Sequence, residues 1–163
     1  MICGFIFPNE GTIVIQDSKI GKNTRFSENF GVIIDRPGYI SNKSGFQNLK
    51  ELSLIRGIID DNQIIKTMEA VGLDPHYNLK AKNFSLGMKQ KLAICQAIMY
   101  EQQVLVLDEP VNALDIASFK RVRDLLISFK NEGKTILLTS HNQEDINICD
   151  IVYRINKCTV NGL

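Results

Sequence analysis

The stretch Val104-Leu105-Val106-Leu107-Asp108-Glu109-Pro110 decides the fold. Apolar residues run without a break, two carboxylates follow side by side, and a proline stops the element. A continuous apolar run of this length suits a strand buried on both faces, in a parallel sheet covered by helices. A short buried helix is the competing reading. Pro110 and the β-branched Val104 and Val106 favour the strand. Open α/β sheets bind their ligands at the carboxyl ends of strands. Asp108 and Glu109 are therefore candidates for metal binding and general-base work; the alternative is that they simply end a strand in solvent.

Downstream of this stretch, a helix is predicted from about Ile116 to Asn131, with Phe119, Val122, Leu126 and Phe129 on one face and Gly133 as its stop. Thr135 to Thr139 reads as a strand with Ser140-His141 at its carboxyl end. Gln143 to Cys149 reads as a short helix and Ile151 to Ile155 as a last strand. From Val104 onward the order is β-α-β-α-β, which predicts a doubly wound sheet.

Upstream, Ser85 precedes a helix from about Leu86 to Tyr100, whose Met88, Leu92, Cys95 and Met99 share one face. Ser44 with Gln47 forms a capping box that opens a helix to about Arg56, stopped by Gly57. Asp60 with Gln63 repeats the arrangement for a helix over Asp61 to Val71, closed by Gly72. Leu73 to Lys82 is a loop. This helical block lies between strand-forming halves and reads as an inserted subdomain. Nearer the start, Met1 to Phe7 look like the tail of a buried element and Thr12 to Gln16 like a strand. Asp17 to Phe30 are polar and irregular, and Gly31 to Asp35 form another buried-strand candidate.

The bulk numbers narrow the function. The 163 residues are enough for one domain with a real core. Hydrophobic content of 44% and charged content of 23% are ordinary for a globular protein. A net charge of +1 gives no electrostatic case for nucleic acid. Cys3, Cys95, Cys149 and Cys158 show neither a CxxC pair nor metal spacing, a usage that fits a reducing cytosol. No apolar run approaches the ~18 residues of a membrane span.

Several motifs stand in order around the opening stretch. Phe84-Ser85-Leu86-Gly87-Met88-Lys89-Gln90 opens one helix, Asn112-Ala113-Leu114-Asp115 follows Pro110, and Thr139-Ser140-His141 ends the next strand. Together they resemble the nucleotide-binding domain of ABC transporters, over nearly the whole chain. The resemblance implies a P-loop NTPase-like α/β fold, a parallel sheet with flanking helices and an inserted helical subdomain. It divides the single domain, residues 1–163, into a helical part with the signature helix (44–100) and a core half (101–163). It also implies ATP and Mg²⁺ as cofactors: Asp108 as the Mg²⁺ ligand, Glu109 as catalytic base, and His141 as the switch histidine touching the γ-phosphate. Ser85 and Gly87 belong to the signature, Asp115 to the D-loop, and Asp35 stands where the Q-loop glutamine usually sits.

Partners implied by the resemblance are a second nucleotide-binding domain in a head-to-tail dimer and a polytopic membrane permease, with no nucleic acid. The implied location is cytoplasmic, peripheral on the inner face of the cell membrane. Leu86 and Met88, in place of a glycine and the glutamine of LSGGQ, and Asp35 in place of glutamine, resemble the antibiotic-resistance and lantibiotic-immunity exporters. One motif is absent. A phosphate-cradling loop needs Gly-x-x-x-x-Gly-Lys-Ser/Thr. Gly21-Lys22 is followed by Asn23 and has Gln16 at the first position; Gly133-Lys134-Thr135 has Ser128 there and opens a strand. The comparison makes Met1 look like an internal methionine, with the first strand, the P-loop and most of its helix missing, roughly 30 residues. Two readings follow: the energy-coupling ATPase of an exporter, or a hydrolysis-incompetent fragment or interaction module. The missing strand would lie beside Thr135 to Thr139, so apolar backbone edges should be exposed there.

Overall fold

The structure, a computed structural model, describes residues 3, 8–15, 18–20, 30–34, 38–156 and 159–162. Its centre is a parallel sheet of three strands in the order β3-β4-β5. Here β3 is Phe30–Ile33, β4 is Val104–Asp108 and β5 is Thr135–Thr139. The opening stretch is thus the middle strand, as its apolar run predicted. Before the sheet, β1 (Ile13–Ile15) and β2 (Ser18–Ile20) pair antiparallel. The second of these forms within a segment expected to be irregular. Met1, Ile2 and residues 4–7 lie outside the described residues, while Cys3 is buried.

Register explains how the sheet is covered. Gly31, Leu105 and Ile136 lie in one cross-strand row, and Ile33, Leu107 and Leu138 in the next row on the same face. Leu105 and Leu107 share a core with Leu92, Cys95 and Ile98 of α3 (Leu86–Ile98) and with Val122 and Leu126 of α4 (Ile116–Asn131). The backbones of β3 and α3 touch. A Cβ on Gly31 would lie 1.9 Å from the Ala97 carbonyl oxygen, so only glycine fits. The opposite face is filled less evenly. Val32 and Val106 are half-buried and Leu137, beside them in register, is 41% exposed.

The helical layer follows its caps. In α1 (Gly45–Arg56) the Ser44 hydroxyl accepts from the Gln47 N–H and the Gln47 side chain accepts from the Ser44 N–H. Gly57 ends that helix at φ +64°. In α2 (Asp61–Ala70) Asp60 accepts from the Gln63 N–H, but the Gln63 side chain reaches Glu101 instead of returning. The second capping box is therefore half a box. Lys91 donates to the Gly72 carbonyl at the end of α2. A cation there complements the helix dipole. Leu49, Ile64, Met68, Leu92 and Met99 are fully buried between these helices. Each such side chain contributes about 1.5–3 kcal/mol of burial. Cys95 is core as expected: burial pushes its thiol pKa up.

A further expectation fails at the end of the chain. The last strand, β6 (Tyr153–Asn156), does not join the parallel sheet; it pairs antiparallel with β7 (Thr159–Gly162). Among the described residues β5 pairs only with β4, and its outer edge is open. A cavity of about 1140 Å³ lies between β5 and residues 151–155. Among the described residues no strand bridges that gap, and β6 pairs with β7 alone. Among the described residues no helix is long and apolar enough to cross a membrane.

Candidate functional site

The carboxyl ends of β4 and β5 meet in register, Asp108 opposite Thr139. That pairing brings a hydroxyl between two carboxylate residues. Thr139 Oγ1 donates to Asp108 Oδ1 at 2.5 Å and accepts from the Glu109 N–H at 3.2 Å. The Thr139 carbonyl accepts from the same N–H, also at 3.2 Å. Glu109 sits in the left-handed region at φ +47°, rare for a residue with a side chain. Such a conformation costs on the order of 1–3 kcal/mol and persists where its surroundings over-determine it. Its consequence is a bend that carries the Glu109 carboxylate to His141, whose Nε2 lies 3.2 Å from Glu109 Oε1. The imidazole is 98% exposed, so a ligand can reach it directly.

The loop bearing His141 is anchored from below. Ser140 donates to the buried Asp145 carboxylate at 2.5 Å, and the Ser140 hydroxyl accepts from the Asn142 N–H at 2.9 Å. Asn142 then caps α5 (Gln143–Ile146) through the Glu144 N–H.

Asp108, Glu109 and His141, named from the sequence, are thus gathered at one place. Thr139 joins them; its role was readable only once the register put it opposite Asp108. Ser85 caps α3 through the Met88 N–H at 3.2 Å and is exposed. Gly87, in the first turn, lies against Ala113, where an added Cβ would be 3.0 Å from the carbonyl oxygen. Asp115 caps α4, accepting from the Ser118 N–H at 2.8 Å and the Ser118 hydroxyl at 3.0 Å. Those bonds hold its carboxyl below the usual range. Among the described residues no hydrogen bond ties Ser85 or Asp115 to the Glu109–His141 pair. Asp35 lies outside the described residues.

The donor set suits Mg²⁺ shared with phosphates. That ion keeps several waters and takes one or two carboxylates beside phosphate oxygens. Asp108 is exposed at the cavity mouth. Among the described residues no group of three His, Cys, Asp or Glu side chains could enclose a metal. The lysines lining the cavity are engaged away from Asp108 and Glu109. Lys130 pairs with Asp150 at 2.6 Å, and Lys134 stacks 4.7 Å from the Phe129 ring.

A profile of the ABC transporter family matches residues 1–112. The chain belongs to that family. It is 41% identical to an uncharacterized ABC transporter ATP-binding protein of Bacillus subtilis, YybJ, covering 95% of the chain and 72% of that protein. It is 36% identical to the bacitracin transport ATP-binding protein BcrA of Enterococcus faecalis, over 93% of the chain and 50% of the relative. The lantibiotic transport ATP-binding protein SrtF of Streptococcus pyogenes is 32% identical, over 86% of the chain and 60% of SrtF. The chain thus spans only part of each relative. The fold matches a dimeric ATP-binding cassette in a post-hydrolysis state bound to ADP and Pi, with TM-score 0.76 and 23% identity, over 90% of this chain and 68% of that one. A dimeric bacterial ABC transporter cassette gives TM-score 0.78 at 19% identity, over 92% and 71%. These likenesses bear out the α/β, parallel-sheet fold class.

Proposed function

We propose that the chain carries the metal-and-base half of the ATP site in the ATP-binding subunit of an ABC transporter, of the exporter kind. The observation that carries this reading is the Asp108–Thr139–Glu109–His141 cluster at the carboxyl ends of neighbouring parallel strands. In this reading Asp108 holds Mg²⁺, which supplies charge neutralisation for the phosphates. Glu109 takes the proton of an attacking water, a contribution worth roughly 10²–10⁴ in rate. His141 contacts the γ-phosphate. Ser85 and Gly87, at the start of α3, meet the nucleotide of a second nucleotide-binding domain in a head-to-tail dimer, and Asp115 and Asp35 take the D-loop and Q-loop positions. Residues 44–100 act as the helical subdomain against a polytopic permease on the cytoplasmic face of the membrane, and residues 101–163 as the core half.

The sequence holds no Gly-x-x-x-x-Gly-Lys-Ser/Thr. That absence favours a second reading for the 163 residues acting alone, a hydrolysis-incompetent module, because nothing cradles the β- and γ-phosphates. Phosphate release from MgATP by the purified 163-residue chain should equal that of a buffer blank. Turnover that Glu109→Gln abolishes would overturn the second reading and leave the first standing. Turnover that Glu109→Gln leaves intact would overturn the assignment of Glu109.

A further inference from the structure

The segment after β4 is held from two sides, and one of its holders has no assigned role. On one side β5 takes the Glu109 N–H, through the Thr139 carbonyl and hydroxyl. On the other, Gln90 in the second turn of α3 donates its Nε2 to the Glu109 carbonyl at 3.3 Å and the Pro110 carbonyl at 3.0 Å. One turn earlier Gly87 packs on Ala113, and Ala113, like Glu109, is left-handed, at φ +65°. The turn itself closes with Asn112 N–H to Glu109 carbonyl at 3.1 Å and Leu114 N–H to Val111 carbonyl at 3.3 Å. Both left-handed residues of the turn therefore lie under the first two turns of α3.

A side-chain amide bridging two successive carbonyls fixes two peptide planes at once. The plane after Glu109 sets that residue's ψ, and with φ already unusual the two angles fix the backbone from which its side chain departs. In this structure it points to His141, 3.2 Å away. We infer that Gln90 is a positioning residue for Glu109: it fastens α3 to the catalytic turn, so that a shift of α3 redirects the carboxylate. The inference rests on the reading of Glu109 as the base.

The test is nuclear magnetic resonance on the 163-residue chain without nucleotide, so it does not depend on turnover. Gln90→Glu keeps shape but replaces the donor with an acceptor facing two carbonyls. Gln90→Met keeps length without a donor, and Gln90→Lys keeps a donor. In Gln90→Glu and Gln90→Met, the Cα and carbonyl shifts of Glu109 and Ala113 should leave their left-handed values. The chemical shifts of the Glu109 side-chain carboxyl carbon and of the His141 ring should change with them. Gln90→Lys should restore both. Unchanged Glu109 and His141 signals in Gln90→Met would overturn the inference. So would changes that spread through Leu92 and Met99, because they would make Gln90 a packing residue only. These chemical shifts report the placement of Glu109 whether or not it acts as a base, so failure of that reading and failure of this inference are distinguishable.

Discussion

The two sides of β4 differ sharply. Towards β3 and the helices, the chain is closed: Gly31 admits the Ala97 carbonyl, Leu105 and Leu107 are buried, and Leu49, Ile64, Leu92 and Met99 are sealed between helices. Towards β5 it is open, with Leu137, Tyr153 and Ile155 at 41%, 61% and 68% exposure along the cavity. The site lies on the boundary between them. Its carboxylates are fixed by the closed side and by β5, while the space in front of them is unfilled. Placement of the acids therefore draws on both sides of β4, while only the closed side is packed.

Substitutions on either side sharpen that contrast. The largest effect is expected from Gly31→Ala, where the new Cβ meets backbone and neither strand nor helix can yield cheaply. Overpacking typically costs about 1–3 kcal/mol and occasionally more; with the new atom set against backbone the upper end is expected here, and thermal melts by circular dichroism should show the largest fall in Tm of the set. Next is Leu92→Ala, which empties a fully buried position on the closed side. It should lower stability in urea unfolding by about 2–5 kcal/mol.

A smaller effect is expected at Asp115, and it depends on pH. The Ser118 N–H and hydroxyl hold its carboxyl below the usual range. The stability they supply is present above the carboxyl's unfolded-state pKa and is lost as pH falls through the lower folded value. Asp115→Asn should lower Tm at neutral pH and flatten the acid side of the Tm–pH curve. An unchanged curve would remove this cap from the account. The smallest effect on stability is expected from Leu137→Lys on the open side, within about 0.5 kcal/mol. There the readout is association: an exposed apolar strand edge templates pairing with other chains, so light scattering at high concentration should fall in the variant. Equal destabilisation by Leu92→Ala and Leu137→Lys would erase the distinction between the two sides.

Most of the closed side was legible in the sequence, because it is written in local signals. The Ser44–Gln47 box, the Gly57 stop, the apolar face of α3 and the run Val104–Leu107 each specify an element without distant partners. The misread strands both involve pairing. The strand β2 is polar and reads as irregular, because only its antiparallel neighbour orders it. The segment at β6 has the residues of a sheet strand, but which strand it joins is set by what stands beside it. The same holds for the site. Asp108, Glu109 and His141 stood out by residue type at the ends of apolar runs. Thr139 and Gln90 did not, since a threonine at a strand end and a glutamine on a helix acquire meaning only from register and packing.

The central claim is that the carboxyl end of β4 is the metal-binding half of an ATP site. Mn²⁺ can stand in for Mg²⁺ and report its position by paramagnetic broadening of the isotopically labelled chain. Titrated with ATP present, it should broaden the Asp108, Glu109 and Thr139 signals first, and Asp108→Asn should remove that broadening. Broadening centred elsewhere, or unchanged in Asp108→Asn, would contradict the account.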